Sequence, residues 1–264
     1  MNMEFKLTSN KYMNIDNKDI NDKLNELYNL CLSESLKGNK VAFYYENLDN
    51  DIFSYNQDIC FYAASAIKIL VCTMILRLAD ENKIDLNENI LITMDDLKQD
   101  TGVIKYQKED TYYTISKLIE LCIMESDNTA YLKLVDIVGK DKLEEYGKSL
   151  GALHTMEGKD NFGLINCLDM ILYWKDVMDY IKNGKYSKEY KEYLLHPSVR
   201  YINRDNFIKK YGSWDIAYHE AGYMDIEHPY YLIVLTQLNK MDYKEEFINK
   251  VANILDEINN IIGK

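Results

Sequence analysis

A hydroxyl and an amine stand three residues apart in an otherwise oily stretch, Ser65 and Lys68 in "FYAASAIKILVCTMILRLADENKIDL". A three-residue offset at helical spacing puts both side chains on one face. Their neighbours Ala64, Ile67, Ile69, Leu70, Val71, Met74, Ile75 and Leu76 are apolar nearly all round, which predicts a central, buried helix. Burial disfavours the charged form of Lys68, and a neutral amine is basic enough to take the Ser65 proton. A serine at a helix N-terminus also has backbone N–H groups aimed at negative charge that develops beside it. The pair has a plainer reading too, as a capping serine and a snorkelling lysine, because S-x-x-K arises about once by chance in a chain this long.

Two further clusters carry suitable groups. In "CIMESDNTAYLKLVDIVG", Ser126-Asp127-Asn128 forms a short polar break between apolar helices. Such residues are ordinary caps, yet Ser126 can shuttle a proton and Asn128 can hold a substrate carbonyl. In "FIKKYGSWDIAYHEAGYM", Lys210-Tyr211-Gly212 ends a strand, where a glycine permits close backbone approach. Lys182-Asn183-Gly184 has the same K-x-G spacing but reads as a helix end with a glycine cap. The histidines His154, His196, His219 and His228 show no metal-binding spacing. "DENKIDLNEN" lacks the glycine of a calcium loop and reads as a solvated turn. Neither a metal nor another cofactor is expected.

The elements that must position these groups follow from periodicity. Residues 18–36 carry a helical stripe, and "KVAFYYENLDNDIFSYN" reads as a hairpin. Residues 66–180 are mostly helical in pattern, with helices near 115–124 and 129–138 and over "CLDMILYWKDVMDYI". Strands return after Pro197 in "NFIKKYG", "WDIAYHEAGYM" and "YYLIVLTQL", and the last twenty residues form an amphipathic helix. One mostly antiparallel sheet, closed by both ends of the chain and covered by terminal helices, accounts for this order. The helical middle then makes a second lobe with a cleft between the two.

With 264 residues, 47% of them apolar, the chain can bury a full core without disulfides. A net charge of −12 excludes nucleic acid and anionic membranes as natural partners. Five cysteines without C-x-x-C suggest buried thiols rather than a disulfide framework or a zinc knuckle. The start of the chain lacks a charged-then-apolar leader and no apolar run reaches a membrane span, so the chain as it stands is expected in the cytoplasm, or outside the cell if a leader has been removed.

Taken in order, S-x-x-K, S-D-N and K-x-G resemble the three boxes of class A β-lactamases and penicillin-binding proteins, whose third box is K-T-G. They lie 61 and then 84 residues apart, and the similarity runs from about residue 40 to the end of the chain. The resemblance implies an α+β, β-lactamase/transpeptidase-like fold over 1–264. An antiparallel sheet with terminal helices (about 15–62 and 198–264) would be joined to an all-helical lobe (about 63–197). It implies Ser65 as the acylated nucleophile, Lys68 as its base and Ser126 as proton donor to the leaving nitrogen. Asn128 would contact the acyl side chain, and Lys210 would steady Ser126 and a substrate carboxylate. Backbone N–H groups of Ser65 and Ser213 would form an oxyanion hole, with Tyr211 and Gly212 lining the substrate. The implied partner is a small amide or lactam, or a short peptide.

Two departures from the family stand out. Its deacylating glutamate lies in an E-x-x-L-N stretch on a loop after the second box. Here "SLGALHTMEGKDNFGLINCLDMILYWKDV" is shortened and offers only Glu157. Tyr211 replaces a small hydroxyl residue in the third box, where it is expected to narrow the cleft, to redirect the hydrogen bond to a substrate carboxylate, or to be a surface aromatic. No arginine follows Arg204, and Glu220 handicaps an anionic substrate if it faces the cleft. The expected enzyme is a class A β-lactamase-like serine hydrolase that forms an acyl-enzyme on Ser65 and deacylates poorly. A D-alanyl-D-alanine peptidase-like or other amidase or esterase activity, or a non-catalytic binding protein, are the alternatives.

Overall fold

The computed structural model describes residues 5–8, 17–158, 160–239 and 243–263. Much of the N-terminal stretch from which the absence of a leader is read lies outside the described residues. The chain divides into two compact units. One takes the residues up to Ala66, Ile165–Ile171 and Arg200 onward; the other takes Ile67–Leu164 and Leu172–Val199.

The first unit holds strands β1 (Phe5–Thr8), β2 (Lys40–Asn47), β3 (Ile52–Tyr55) and the two-residue β4 (Phe61–Tyr62). The first three join β8 (Phe207–Trp214), β9 (Ala217–Met224) and β10 (Tyr230–Gln237) in a six-stranded sheet of order β1-β3-β2-β10-β9-β8, antiparallel throughout. "YYLIVLT" has no polar alternation because β10 is central and buried on both faces. Helices α1 (Lys18–Leu36) and α8 (Lys244–Ile262) cover one face. Asn17 caps α1 by accepting from the Asp19 and Ile20 N–H groups, and Ile20, Leu24, Leu27 and Cys31 form its buried stripe. In α8 the stripe is Ile248, Val251, Leu255 and Ile258. Tyr45 packs on Phe53 and Tyr230, and its hydroxyl donates to Asn259 Oδ1 at 2.6 Å, which ties α8 to the sheet.

The second unit comprises α2 (Lys68–Asp80), α3 (Ile115–Met124), α4 (Asn128–Val138), α5 (Lys140–Ser149), most of α6 (Cys167–Asn183) and α7 (Ser187–Leu195). Arg77 on α2 pairs with Asp176 and Asp179 on α6, and the hydroxyls of Thr73 and Tyr190 join α2 to α7 at 3.0 Å. Not all of this stretch is helical. β5 (Asn89–Ile92) and β6 (Thr111–Thr114) make a hairpin, and β7 (Leu164–Ile165) is a two-residue strand. The run "TYYT" explains β6, since Thr and Tyr favour a pleated backbone that the apolar periodicity on either side conceals.

The α+β class, the antiparallel sheet and its terminal helices agree with expectation. All five cysteines are thiols outside any disulfide, and four are buried. No helix among the described residues is long and apolar enough to cross a membrane. Those residues also contain no group of three or more His, Cys, Asp or Glu that could hold a metal.

Candidate active site

Ser65 does not sit in a regular α-helix. It lies in a 3-10 turn, Ala64–Ile67, that leads into α2 and is only 4% exposed. Ala64 has φ +47°, a left-handed backbone that costs a residue with a Cβ on the order of 1 kcal/mol or more. The Ala66 N–H closes the turn on Ala63 O at 3.1 Å. β8 approaches this turn so closely that a Cβ on Gly212 would lie 2.8 Å from Ala66 N and 3.1 Å from Ala63 O. Any side chain there must displace backbone, so the third box needs its glycine.

Lys68 opens α2 and is fully buried. Its Nζ donates to Ser126 O at 2.6 Å, Asn128 Oδ1 at 2.7 Å and Ser126 Oγ at 3.2 Å. The rings of Tyr131 and Phe162 lie 5.5 and 5.9 Å from the amine. Burial pushes the Lys68 pKa down to about 8, and Asp127 and Asp100 pull only weakly against it. A neutral amine has two N–H groups and one lone pair. On losing its proton Lys68 therefore gives up one of three hydrogen bonds and gains a base.

Ser126, Asp127 and Asn128 are placed by a sharp break between α3 and α4. Ser126 has φ +51°, and Asp127 caps α4 through Oδ1, which accepts from Ala130 N at 3.0 Å. Asp127 Oδ2 accepts from Val103 N at 2.7 Å and Ile104 N at 2.8 Å. Thr101 donates its hydroxyl to Ser126 O at 2.9 Å, and its own carbonyl accepts from Asn128 N at 3.2 Å. A capping residue and a site-building residue are here the same residue. Ser126 and Asp127 are almost fully buried and Asn128 is 6% exposed.

Phe162, which motif reading passes over, sits on a tightly held loop. Tyr131 donates its hydroxyl to Asn161 O and its ring meets that of Phe162 at 4.9 Å. Asp160 Oδ1 accepts from Phe162 N and Gly163 N, and Gly163, at φ +71°, leaves no room for a Cβ beside Met156. Lys140 ties the same loop down through Gly158 O and Asp160 O. "FGLIN" at 162–166 keeps the spacing of E-x-x-L-N, with phenylalanine in the place of glutamate. Two changed positions out of three hide that relation from a pattern search. Glu157, the one glutamate nearby, is exposed and pairs with His154 Nδ1 at 2.7 Å.

In the third box, Lys210 is fully buried and its Nζ donates to Tyr211 O at 3.1 Å. Tyr211 is not a surface aromatic. At 4% exposure it belongs to the core beneath α1 and α8, its ring edge-on to Tyr201 at 6.1 Å and 4.2 Å from Lys210 Nζ. Glu220 pairs in register with Tyr211 and Val234, so it points to that same core face. Its expected handicap to an anionic substrate is removed. His219, on the opposite face with Gly212, bonds Tyr62 O through Nε2 at 2.8 Å and accepts from Thr236 N at Nδ1.

The site residues thus fall into two groupings. Lys68, Ser126 and Asn128 meet directly in the helical unit. Lys210, Tyr211, Gly212 and Ser213 run consecutively along β8 in the sheet unit, with Gly212 against the turn that carries Ser65. Comparison with known proteins gives this arrangement a family. The sequence profile of the Beta-lactamase enzyme family matches residues 20–258, and the chain belongs to that family. β-Lactamase BRO-1 of Moraxella catarrhalis is 30% identical over 174 residues, a match spanning 62% of this chain and 55% of that relative. The fold is that of a β-lactamase from Sphaerobacter thermophilus, with TM-score 0.81 and 19% identity over 89% of this chain and 96% of the other. It is equally that of PBP-A, a point mutant of which is described as an acyl-enzyme complex with penicillin G; here the TM-score is 0.81 and the identity 18% over 90% and 96% of the two chains.

Proposed function

We propose that this protein is a serine hydrolase that is acylated on Ser65 by a β-lactam or a chemically similar amide and discharges the acyl group slowly. The observation that carries the reading is the setting of Lys68: buried, hydrogen-bonded to Ser126 and Asn128, and with a pKa near 8. As Ser65 Oγ attacks the carbonyl carbon, its proton passes to the Lys68 lone pair. The C–N bond then breaks and the leaving nitrogen takes that proton through Ser126, whose hydroxyl lies 3.2 Å from the Lys68 amine. Backbone N–H groups of Ser65 and Ser213 are assigned to the developing oxyanion, each such donor being worth about 3 kcal/mol in systems of this kind. Asn128 and Lys210 are assigned to the acyl side chain and the substrate carboxylate.

The ester so formed needs an activated water. Phe162 presents a hydrocarbon ring to Lys68 at the place in the F-x-x-I-N stretch where the family carries its glutamate. A phenyl ring can neither accept a proton nor hold a water, and it keeps Lys68 dry. Burst kinetics with a chromogenic lactam test the reading. One equivalent of product per Ser65 followed by a slow steady state, both lost in Ser65→Ala, is the expected result. No burst and no turnover, with release of D-alanine from a peptide ending in D-Ala-D-Ala, would move the assignment to a peptidase. Inertness toward both substrates would leave a binding role.

A further inference from the structure

Glu220 is a carboxylate with no exposed surface in the middle of β9. Its Oε2 accepts two consecutive backbone N–H groups, those of Tyr201 and Ile202, the latter at 2.8 Å. Its Oε1 is buried and has no hydrogen-bond partner among the described residues. Burying half a carboxylate unsatisfied is expensive, and an apolar residue of similar size would normally serve a sheet core better. What the carboxylate holds is informative. Tyr201 stands edge-on to the Tyr211 ring, and its hydroxyl is hydrogen-bonded to the Ser213 side chain. Both residues flank the glycine of the third box. Glu220 is also the cross-strand partner of Tyr211.

We propose that Glu220 is a positioning residue of the third box: by clamping the Tyr201–Ile202 backbone to β9 it sets Tyr201 against Tyr211 and Ser213 and so fixes the geometry of β8 from Lys210 to Ser213. This rests on the acyl-transfer reading for its kinetic consequence, but not for the clamp itself. The groups around Glu220 are those of β8 (Lys209, Lys210, Tyr211), of the preceding segment (Arg200, Tyr201), of its own strand (Tyr218) and Lys244 of α8, whose Nζ lies over the Tyr201 and Tyr218 rings. Lys209 is turned away to Arg204 O and Phe207 O, and Lys210 to Tyr211 O. Burial accordingly raises the Glu220 pKa to about 7 against the pull of the two N–H groups and the lysines. The clamp is charge-assisted above that pH and neutral below it.

The test compares wild type, Glu220→Gln and Tyr201→Phe in two measurements: the acylation rate with penicillin G as a function of pH, and hydrogen exchange of the Tyr201 and Ile202 amides expressed as protection factors. Glutamine keeps an acceptor without the charge. The wild-type rate should exceed that of Glu220→Gln by about tenfold near pH 8 and match it near pH 6, the size of one charge-assisted hydrogen bond. Protection of Tyr201 and Ile202 against release of their segment alone, with the carboxylate still buried, should rise through neutral pH in wild type even as global stability falls, and stay flat in the glutamine variant. Tyr201→Phe should slow acylation while leaving that protection intact. A rate ratio that is constant with pH, or equal protection in both proteins, overturns the proposal. If penicillin G acylates none of them, the acyl-transfer reading fails separately, and the protection factors alone decide whether the clamp exists.

Discussion

In the proposed reaction Lys68 serves as the base because burial and the charges around it pull in opposite directions. Desolvation favours the neutral amine, whereas negative charge nearby, that of Asp127 and Asp100 included, favours the ammonium, and the balance falls at about 8. Only the neutral form can take a proton from Ser65. The acylation rate of wild type should therefore rise at least about tenfold per pH unit below 8 and level off above it; a rate independent of pH between 6 and 8 would exclude Lys68 as the base. Phe162 permits a second prediction. Phe162→Glu puts a carboxylate beside the amine and supplies a base for water. Steady-state lactam turnover should rise at least about tenfold, while the burst slows near neutral pH because the new charge holds Lys68 protonated. Unchanged turnover would show that Phe162 is not what stalls deacylation.

At the scale of elements, two close approaches hold the boxes in place. Gly102 has φ +109°, and a Cβ there would lie 2.1 Å from Asp127 Oδ2. Gly102→Ala must either break the Asp127 hydrogen bonds to Val103 and Ile104 or strain the backbone, and should cost about 2 kcal/mol or more in urea unfolding. Its effect on acylation should follow, because the same segment holds Ser126 O through Thr101. Gly212→Ala pushes on the Ala63–Ala66 turn and should lower acylation with a smaller loss of stability. The sequence displayed α1, α3, α4 and α8 through apolar stripes, and β8 to β10 through β-rich runs between turn residues. It also displayed the three boxes, which are local and ordered. It hid the 3-10 turn at Ser65, because the apolar run through Ile67 does not break where the helix type changes. It hid the placement of Phe162, Tyr201 and Glu220 for another reason: each meets partners distant in sequence, Phe162 the Lys68 amine and Glu220 the Tyr201 and Ile202 N–H groups. Tyr211 could be read as a surface ring because the chain holds 23 tyrosines; its burial comes from what Tyr201, distant in sequence, brings to β8.

For the sheet unit as a whole, its buried ionisable groups set opposing dependences on pH. His219 is held neutral, its pKa lowered to about 4 by burial. The stability it contributes is complete above about 6.5 and is lost as pH falls toward 4, up to about 3 kcal/mol. Glu220 is raised to about 7 from an ordinary 4.5. The folded state keeps its proton longer than the unfolded chain does, so stability falls as pH rises from 4.5 to 7, again by up to about 3 kcal/mol. Urea unfolding should show Glu220→Gln gaining on wild type across that interval, with the difference constant above about pH 7. Parallel curves would mean that Glu220 is ionised throughout. A carboxylate retained at such a cost fits a molecule in which stability is given up where the third box is positioned.

Intact-protein mass after mixing with penicillin G, followed over time for wild type and Ser65→Ala, tests the central claim most directly. One added penicillin should appear on wild type, persist for many minutes and never form on Ser65→Ala. An adduct that forms equally on Ser65→Ala, or none on wild type at any time, would contradict acylation of Ser65.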